Sequence, residues 1–239
     1  MNQPSNFDRL AGFYRWMEWV TFGPSLGWCR NFYLPGLSSC RHALILGDGD
    51  GRFTARLLGA NHTVQVVAVD ASSAMLDALV RRAGTRSVRI STHHADARIW
   101  QHAAASIRPP IDLIVTHFFL DCLTTTEIQS LAGRIRQASS PDAIWLVSEF
   151  AVPSTLFGCL FARPLVSALY FVFALLTGLT VRALPDHSAA LRRAGFTLLD
   201  QSSRLGGLLV SQRWSSGPEL RPADPPRPKP ISIEMLQSC

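Results

Sequence analysis

The chain is nearly without lysine. Of its 23 basic residues only Lys229 is lysine, which leaves 23 − 1 = 22 arginines spread along the 239 residues rather than gathered in runs. A net charge of +6 and a pI near 9.5 with no basic stripe interleaved with aromatics do not describe a nucleic-acid interface. An anionic membrane surface is a better use of that charge, and pairs such as Arg81-Arg82 and Arg192-Arg193 read as solvated helix faces. The five cysteines, Cys29, Cys40, Cys122, Cys159 and Cys239, show no CxxC and no Cys/His ligand spacing. That excludes a zinc site and fits reduced thiols in a cytoplasmic protein. Cys122 or Cys159 as a nucleophile stands against the plainer reading of a small buried apolar residue. The start, MNQPSNFDRL, has no basic stretch before an apolar one, so no signal peptide is expected.

What is present is apolar: 47% of residues are hydrophobic, ample for one core. Ala43 to Asp70 reads as an apolar run, a glycine-rich turn, a helix-like stretch, a second apolar run and a closing carboxylate. Gly47, Gly49 and Gly51 allow a sharp turn and close approach to a ligand. Asp70 follows by ~20 residues, where a carboxylate accepts both hydroxyls of a ribose. Next comes ASSAMLDALVRRAG, a helix capped by Ser72 or Ser73 and ended at Gly84, with Met75 near its start. SVRIST, IDLIVTHFFLDCL and DAIWLVSEF supply three more apolar strands with helix-like segments between them. The alternation predicts an α/β fold with a parallel sheet covered on both faces and a ligand site at the carboxyl ends of its strands.

These segments together resemble the class I S-adenosylmethionine-dependent methyltransferases, near the small-molecule ubiquinone/menaquinone type, over roughly residues 7 to 214. GDGDG matches the GxGxG loop, VVAVD the ribose-binding strand end, and HHADAR the place where Asp96 meets the adenine amino group. IDLIVTHFFLDCL matches the motif whose strand end faces the sulfonium and the acceptor. LRRAGFTLLDQSSRLGGLLVSQRW reads as a helix and an antiparallel strand pair closing the sheet, which separates this fold from a nicotinamide-binding one. The resemblance implies a Rossmann-like seven-stranded sheet and S-adenosyl-L-methionine held by Gly47, Asp48, Gly49, Gly51, Asp70, Ala71, Met75, Asp96, Ala97 and Thr116. Ile45 stands where the family usually carries an acidic residue. Asp48 and Asp50 inside the loop suit a cationic sulfonium and amino group and repel a pyrophosphate, which weighs against a dinucleotide.

Methyl displacement from a sulfonium needs alignment, and needs a base only when the acceptor holds a proton. His117 is the first candidate, set against a structural histidine, and Asp121 the second, set against a helix cap. Tyr14, Phe118, Phe119 and Glu149 are expected to line the acceptor side, with core packing as the alternative for the two phenylalanines. His187 fits a helix N-terminal turn after a cap at Asp186. Three flanking regions accompany residues 43–214: an N-terminal helical lid over 1–42, an apolar insertion over about 154–182, and a proline-rich, disordered tail over 215–239. Within the insertion, residues 165–181 run 17 residues without a charge, at the lower limit of the ~20 a spanning helix needs. Capping the pocket, dipping into a bilayer and spanning it are all open to it, and one helix both caps and touches the membrane if the acceptor is a lipid. A small or lipophilic acceptor is the expected substrate. A non-catalytic cofactor-binding scaffold at a membrane and a nicotinamide-dependent oxidoreductase are the competing classes, and binding of S-adenosylhomocysteine but not NADH separates the latter. Six prolines between Gly217 and Pro230 keep the tail from packing. Removing residues 215–239 is therefore expected to leave turnover unchanged, and a methyl-transfer assay on the shortened chain checks it.

Overall fold

The computed structural model describes residues 24–99, 110–151 and 185–217. Tyr14, the 165–181 segment and residues 218–239 lie outside them. Helix α1 (Ser25–Asn31) precedes strand β1 (His42–Leu46), α2 (Arg52–Ala60), β2 (Gln65–Asp70), α3 (Ser73–Ala83) and β3 (Ile90–His94). After them come β4 (Ile111–His117), α4 (Thr125–Ala138), β5 (Ser139–Phe150), α5 (His187–Arg193), β6 (Thr197–Arg204) and β7 (Leu209–Ser215).

The strands form one seven-stranded sheet in the order β3-β2-β1-β4-β5-β7-β6. β3, β2, β1, β4 and β5 run parallel, whereas β7 lies antiparallel between β5 and β6. This is the topology the resemblance implies, terminal strand pair included. Strand period decides the layers, since successive side chains point to opposite faces. Leu44, Leu46, Ile114, Trp145 and Val147 pack on one face with Ile128, Leu131, Ala132 and Ile135 of α4 and with Leu191 of α5. Ala43, Ile45, Val66, Ala68, Leu113 and Val115 pack on the other with Phe53, Leu57 and Leu58 of α2 and Leu76 and Leu79 of α3. Ile45 is thus a core residue, 1% exposed, facing α2 and α3.

The helix ends are written in side chains. The Ser72 hydroxyl accepts from the Met75 N–H at 3.3 Å, and Gly84, at φ +59°, ends α3. Thr124 and Glu127 form a reciprocal capping box on α4, so Asp121 does not cap that helix. Asp186 caps α5, as expected, by accepting from the Ala189 N–H at 2.8 Å. The sheet runs past the expected boundary at residue 214: Ser215 ends β7, and the Ser216 N–H donates to the Ala143 carbonyl at 2.9 Å. Deletion from residue 218 onward, rather than from 215, spares these contacts.

Gly51 stands at the N-cap of α2 with φ +76°, and a Cβ there would come within 2.6 Å of Leu79 Cγ and 2.8 Å of its Cα. Gly59, later in the same helix, has nothing within 4 Å of a Cβ. Gly51→Ala is expected to cost about 2–4 kcal/mol through left-handed strain plus overpacking. Gly59→Ala is expected to gain about 0.5–1 kcal/mol. Denaturant unfolding of the two variants checks the contrast.

Candidate cofactor and acceptor site

The glycine loop, the Asp70–Ser72 turn, Asp96 and the turn after β4 all lie at the carboxyl ends of the parallel strands. Backbone geometry builds the loop. Gly47, Gly49 and Gly51 take φ of +67°, +57° and +76°, and the Gly47 N–H continues the ladder to the Val69 carbonyl at 3.0 Å. A Cβ on Gly47 would stand 2.4 Å from Phe119 Cδ2, so this glycine admits the Phe119 ring. Gly49 differs: the nearest atom to a Cβ is the Met75 sulfur at 3.9 Å, which leaves its surface open.

The loop carboxylates do not point where the sequence reading puts them. Asp48 turns back onto α2, accepting from the Thr54 N–H at 2.8 Å, the Thr54 hydroxyl at 2.6 Å and the Phe53 N–H at 3.4 Å. Burial pushes its pKa up, and the Thr54 contacts oppose that rise. Four unpaired N–H groups at a helix start attract the nearest acceptor, and Asp48 is it. Asp50 pairs with Arg82 at 2.6 Å and Arg52 at 3.2 Å, tying the loop to the end of α3. Both charges are engaged inside the protein, which corrects their expected role toward a sulfonium.

Asp70 keeps the expected position. Its Oδ1 accepts from the Ser72 N–H at 2.9 Å, the Gly49 N–H also donates to the carboxylate, and the group is half-buried at the tip of β2. Burial pushes its pKa up, and the two N–H donors offset part of that rise. Ala71 is exposed, and its carbonyl shares a 3.0 Å hydrogen bond with His94 Nε2. Ala97 is buried beside the Asp96 turn. Asp96 faces the same rim, but Arg98 grips it through both carboxylate oxygens, at 3.0, 2.8 and 2.6 Å. Burial works to raise Asp96, and the Arg98 guanidinium prevails and holds the carboxyl below its ordinary value. An adenine amino group would have to share that carboxylate. Thr116 is fully buried, and its hydroxyl accepts from Trp145 Nε1 at 2.9 Å, so its side chain belongs to the core.

The turn after β4 is the second half of the site. Phe118 has φ +54°, an uncommon value for a residue with a side chain, and its N–H donates to the Ser148 carbonyl at 2.7 Å. Glu149 holds the turn from below: its Oε1 accepts from the Phe119 N–H at 3.1 Å and the Leu120 N–H at 2.8 Å. Burial, then the nearby Asp121 charge, pushes Glu149 well above the ordinary carboxyl range, and the N–H donors offset part of that. At 1% exposure Glu149 lies beneath the turn and forms none of its surface. Asp121, half-buried, accepts from the Cys122 thiol at 3.5 Å. Burial raises that thiol well above its ordinary value, the opposite of an activated nucleophile.

His117 also differs from expectation. It is 5% exposed, edge-on to Phe53 with ring centroids 4.7 Å apart. The Ser148 hydroxyl donates to the Cys29 carbonyl at 3.2 Å, so it accepts from His117 Nδ1–H at 2.9 Å. Burial lowers the imidazole to about 3, and a base that weak abstracts little at neutral pH. Its place is structural, joining β4 and β5 to α1. Two residues here escape sequence reasoning, Ser148 and Arg30. Arg30, in the last turn of α1, sets its guanidinium 5.2 Å from the Phe118 ring centroid. No periodicity or spacing signals either one, because the contacts join residues 31 and 88 positions apart.

Residues 43–142 match the family described as a methyltransferase domain. A comparison with curated protein sequences finds no match. Among solved structures, an O-methyltransferase family protein from Burkholderia thailandensis is similar at TM-score 0.66 and 13% identity, covering 89% of this chain and 61% of its own. The mitomycin 7-O-methyltransferase MmcR is similar at TM-score 0.63 and 16% identity, covering 87% and 60%. The N,N-8-amino-8-demethyl-D-riboflavin dimethyltransferase RosA from Streptomyces davawensis is similar at TM-score 0.57 and 18% identity, covering 90% and 62%. The chain thus spans 60% to 62% of the length of these three structures.

The buried imidazole generates a stability prediction. An unfolded His117 takes up its proton near 6.5 and the folded one near 3, so between those values the unfolded chain holds the extra proton. Stability from this group is complete above 6.5 and is lost as pH falls. His117→Asn, which keeps a donor toward Ser148, is expected to remove a slope approaching about 1.4 kcal/mol per pH unit below 6. Unfolding of wild type and variant across pH 7 to 4.5 measures the difference. The sheet order and these likenesses together show a Rossmann-like methyltransferase fold, of which residues 43–142 match the methyltransferase-domain family.

Proposed function

We propose that the chain transfers a methyl group from S-adenosyl-L-methionine to a small or lipophilic acceptor. The observation that carries this reading is Asp70, half-buried at the tip of β2 and aligned by the N–H groups of Gly49 and Ser72. Two fixed N–H donors leave the carboxylate oriented, with acceptor capacity for a ribose diol. The open face of Gly49 beside Met75 fits a ligand lying across the loop. When bound, the cofactor supplies the activated methyl on its sulfonium.

The chain's part is alignment and exclusion of water. Phe119 lies against Gly47 at the crevice between β1 and β4, where an open α/β sheet takes its ligand, and Phe118 packs beside it on Phe150. Asp121 is the group placed to take a proton from a protic acceptor, since His117 is buried with its pKa near 3 and Glu149 is held beneath the turn. The similar structures, among them a mitomycin 7-O-methyltransferase and a riboflavin-derivative dimethyltransferase, support a small-molecule acceptor. They extend no support to the quinone-precursor type or to a lipid.

Calorimetric titration of S-adenosylhomocysteine into wild type and Asp70→Ala tests the proposal. Micromolar binding that weakens at least tenfold in the variant, about 1.4 kcal/mol, is expected. Folded wild type that fails to bind defeats it. A second expectation concerns the base: with a phenolic or hydroxyl acceptor, Asp121→Asn lowers kcat more than His117→Asn does, and a rate assay of both variants decides.

A further inference from the structure

The order β3-β2-β1-β4-β5 reverses direction between β1 and β4, and ligands of open α/β sheets bind at that crevice. Asp48 follows β1, Phe118 follows β4, and Arg30 enters from the last turn of α1. The Arg30 guanidinium carbon lies 5.2 Å from the Phe118 ring centroid. Its charge also reaches Asp48 and the His117 ring, favouring the ionised form of the first and the neutral form of the second.

The other means of holding an anion here is the start of α2, and it is already in use. Asp48 accepts the Phe53 and Thr54 N–H groups that would otherwise face the crevice. Arg30 is a cation at this end of the crevice, its guanidinium beside Phe118 and its charge felt at Asp48. Asp70 fixes the opposite end, because a ligand with its ribose at the tip of β2 that runs past β1 brings its far end to this guanidinium.

We propose that Arg30 holds the carboxylate at the amino-acid end of the adenosyl cofactor, an inference that rests on the methyl-transfer reading above. Five N–H donors in a planar fork match a carboxylate two for two, so the side chain serves this anion alongside its protein contacts. The carboxylate of an acidic acceptor has the same chemistry, and the experiment separates the two.

S-adenosylhomocysteine and 5′-methylthioadenosine, which keeps the adenosine and thioether but lacks the amino acid, are titrated into wild type, Arg30→Met and Arg30→Lys. Arg30→Met is expected to weaken S-adenosylhomocysteine tenfold or more and to leave 5′-methylthioadenosine within twofold. Arg30→Lys falls between, since an ammonium keeps the charge and loses the fork. Equal losses for both ligands mark a merely structural residue and overturn the proposal, as does no loss for either. Unchanged S-adenosylhomocysteine affinity with a raised KM for an acidic acceptor assigns the guanidinium to the acceptor and also overturns it. If Arg30→Met does not fold, Arg30→Lys against the same two ligands carries the decision: a selective loss supports the proposal, and an equal loss or none overturns it. Wild type that binds neither ligand defeats the methyl-transfer reading itself, a separate result.

Discussion

The mouth of this domain depends on one contact, the Phe119 ring against the bare α-carbon of Gly47. A single added methyl would stand 2.4 Å from that ring, closer than any packed carbon tolerates. The contact joins the loop after β1 to the turn after β4 at the point where the strand order reverses. Glu149 fixes the turn from beneath through the Phe119 and Leu120 N–H groups, and Phe118 adopts positive φ to complete it. Loop, turn and buried carboxyl therefore form one unit, and the crevice they border inherits its shape from all three.

Charge in this unit is used mainly to hold backbone. Asp48 terminates α2, Asp50 ties the loop to α3 through Arg82, and Asp96 is gripped by Arg98. Each pairing reduces the cost of placing a carboxylate in a poorly hydrated position. It also removes that carboxylate from free competition for a ligand. Asp70 stands at the tip of β2, oriented by the Gly49 and Ser72 N–H groups, with acceptor capacity left over. The same logic removes His117 from acid–base work: an imidazole bonded to Ser148 and packed on Phe53 stays neutral by burial.

The fold was legible in the sequence because its signals are local. Apolar runs of β-branched residues set the strands, Ser72 and Gly84 bracket α3, and the Leu205–Gly207 turn announces the closing strand pair. Asp70 was legible for the same reason, as a carboxylate at a strand end a fixed distance after a glycine turn. The fates of Asp48, Asp96, Thr116, His117 and Glu149 were not. Each depends on which partner a polar atom finds once the strands are paired, and register and strand order decide that. Thr116 and His117 are adjacent in β4, so alternation sends them to opposite faces, one to Trp145 and the other to Phe53. Asp48 illustrates a competition that spacing does not rank: its carboxylate is taken up by the N-terminal turn of α2.

A crystal structure of the chain with S-adenosylhomocysteine tests the central claim most directly. The account predicts the ribose on Asp70, the ligand lying over Gly49 toward the Phe118–Phe119 turn, and Asp48 still bonded to Thr54. A ligand held through Asp48 swung away from α2, or bound apart from the β1–β4 crevice, would contradict it.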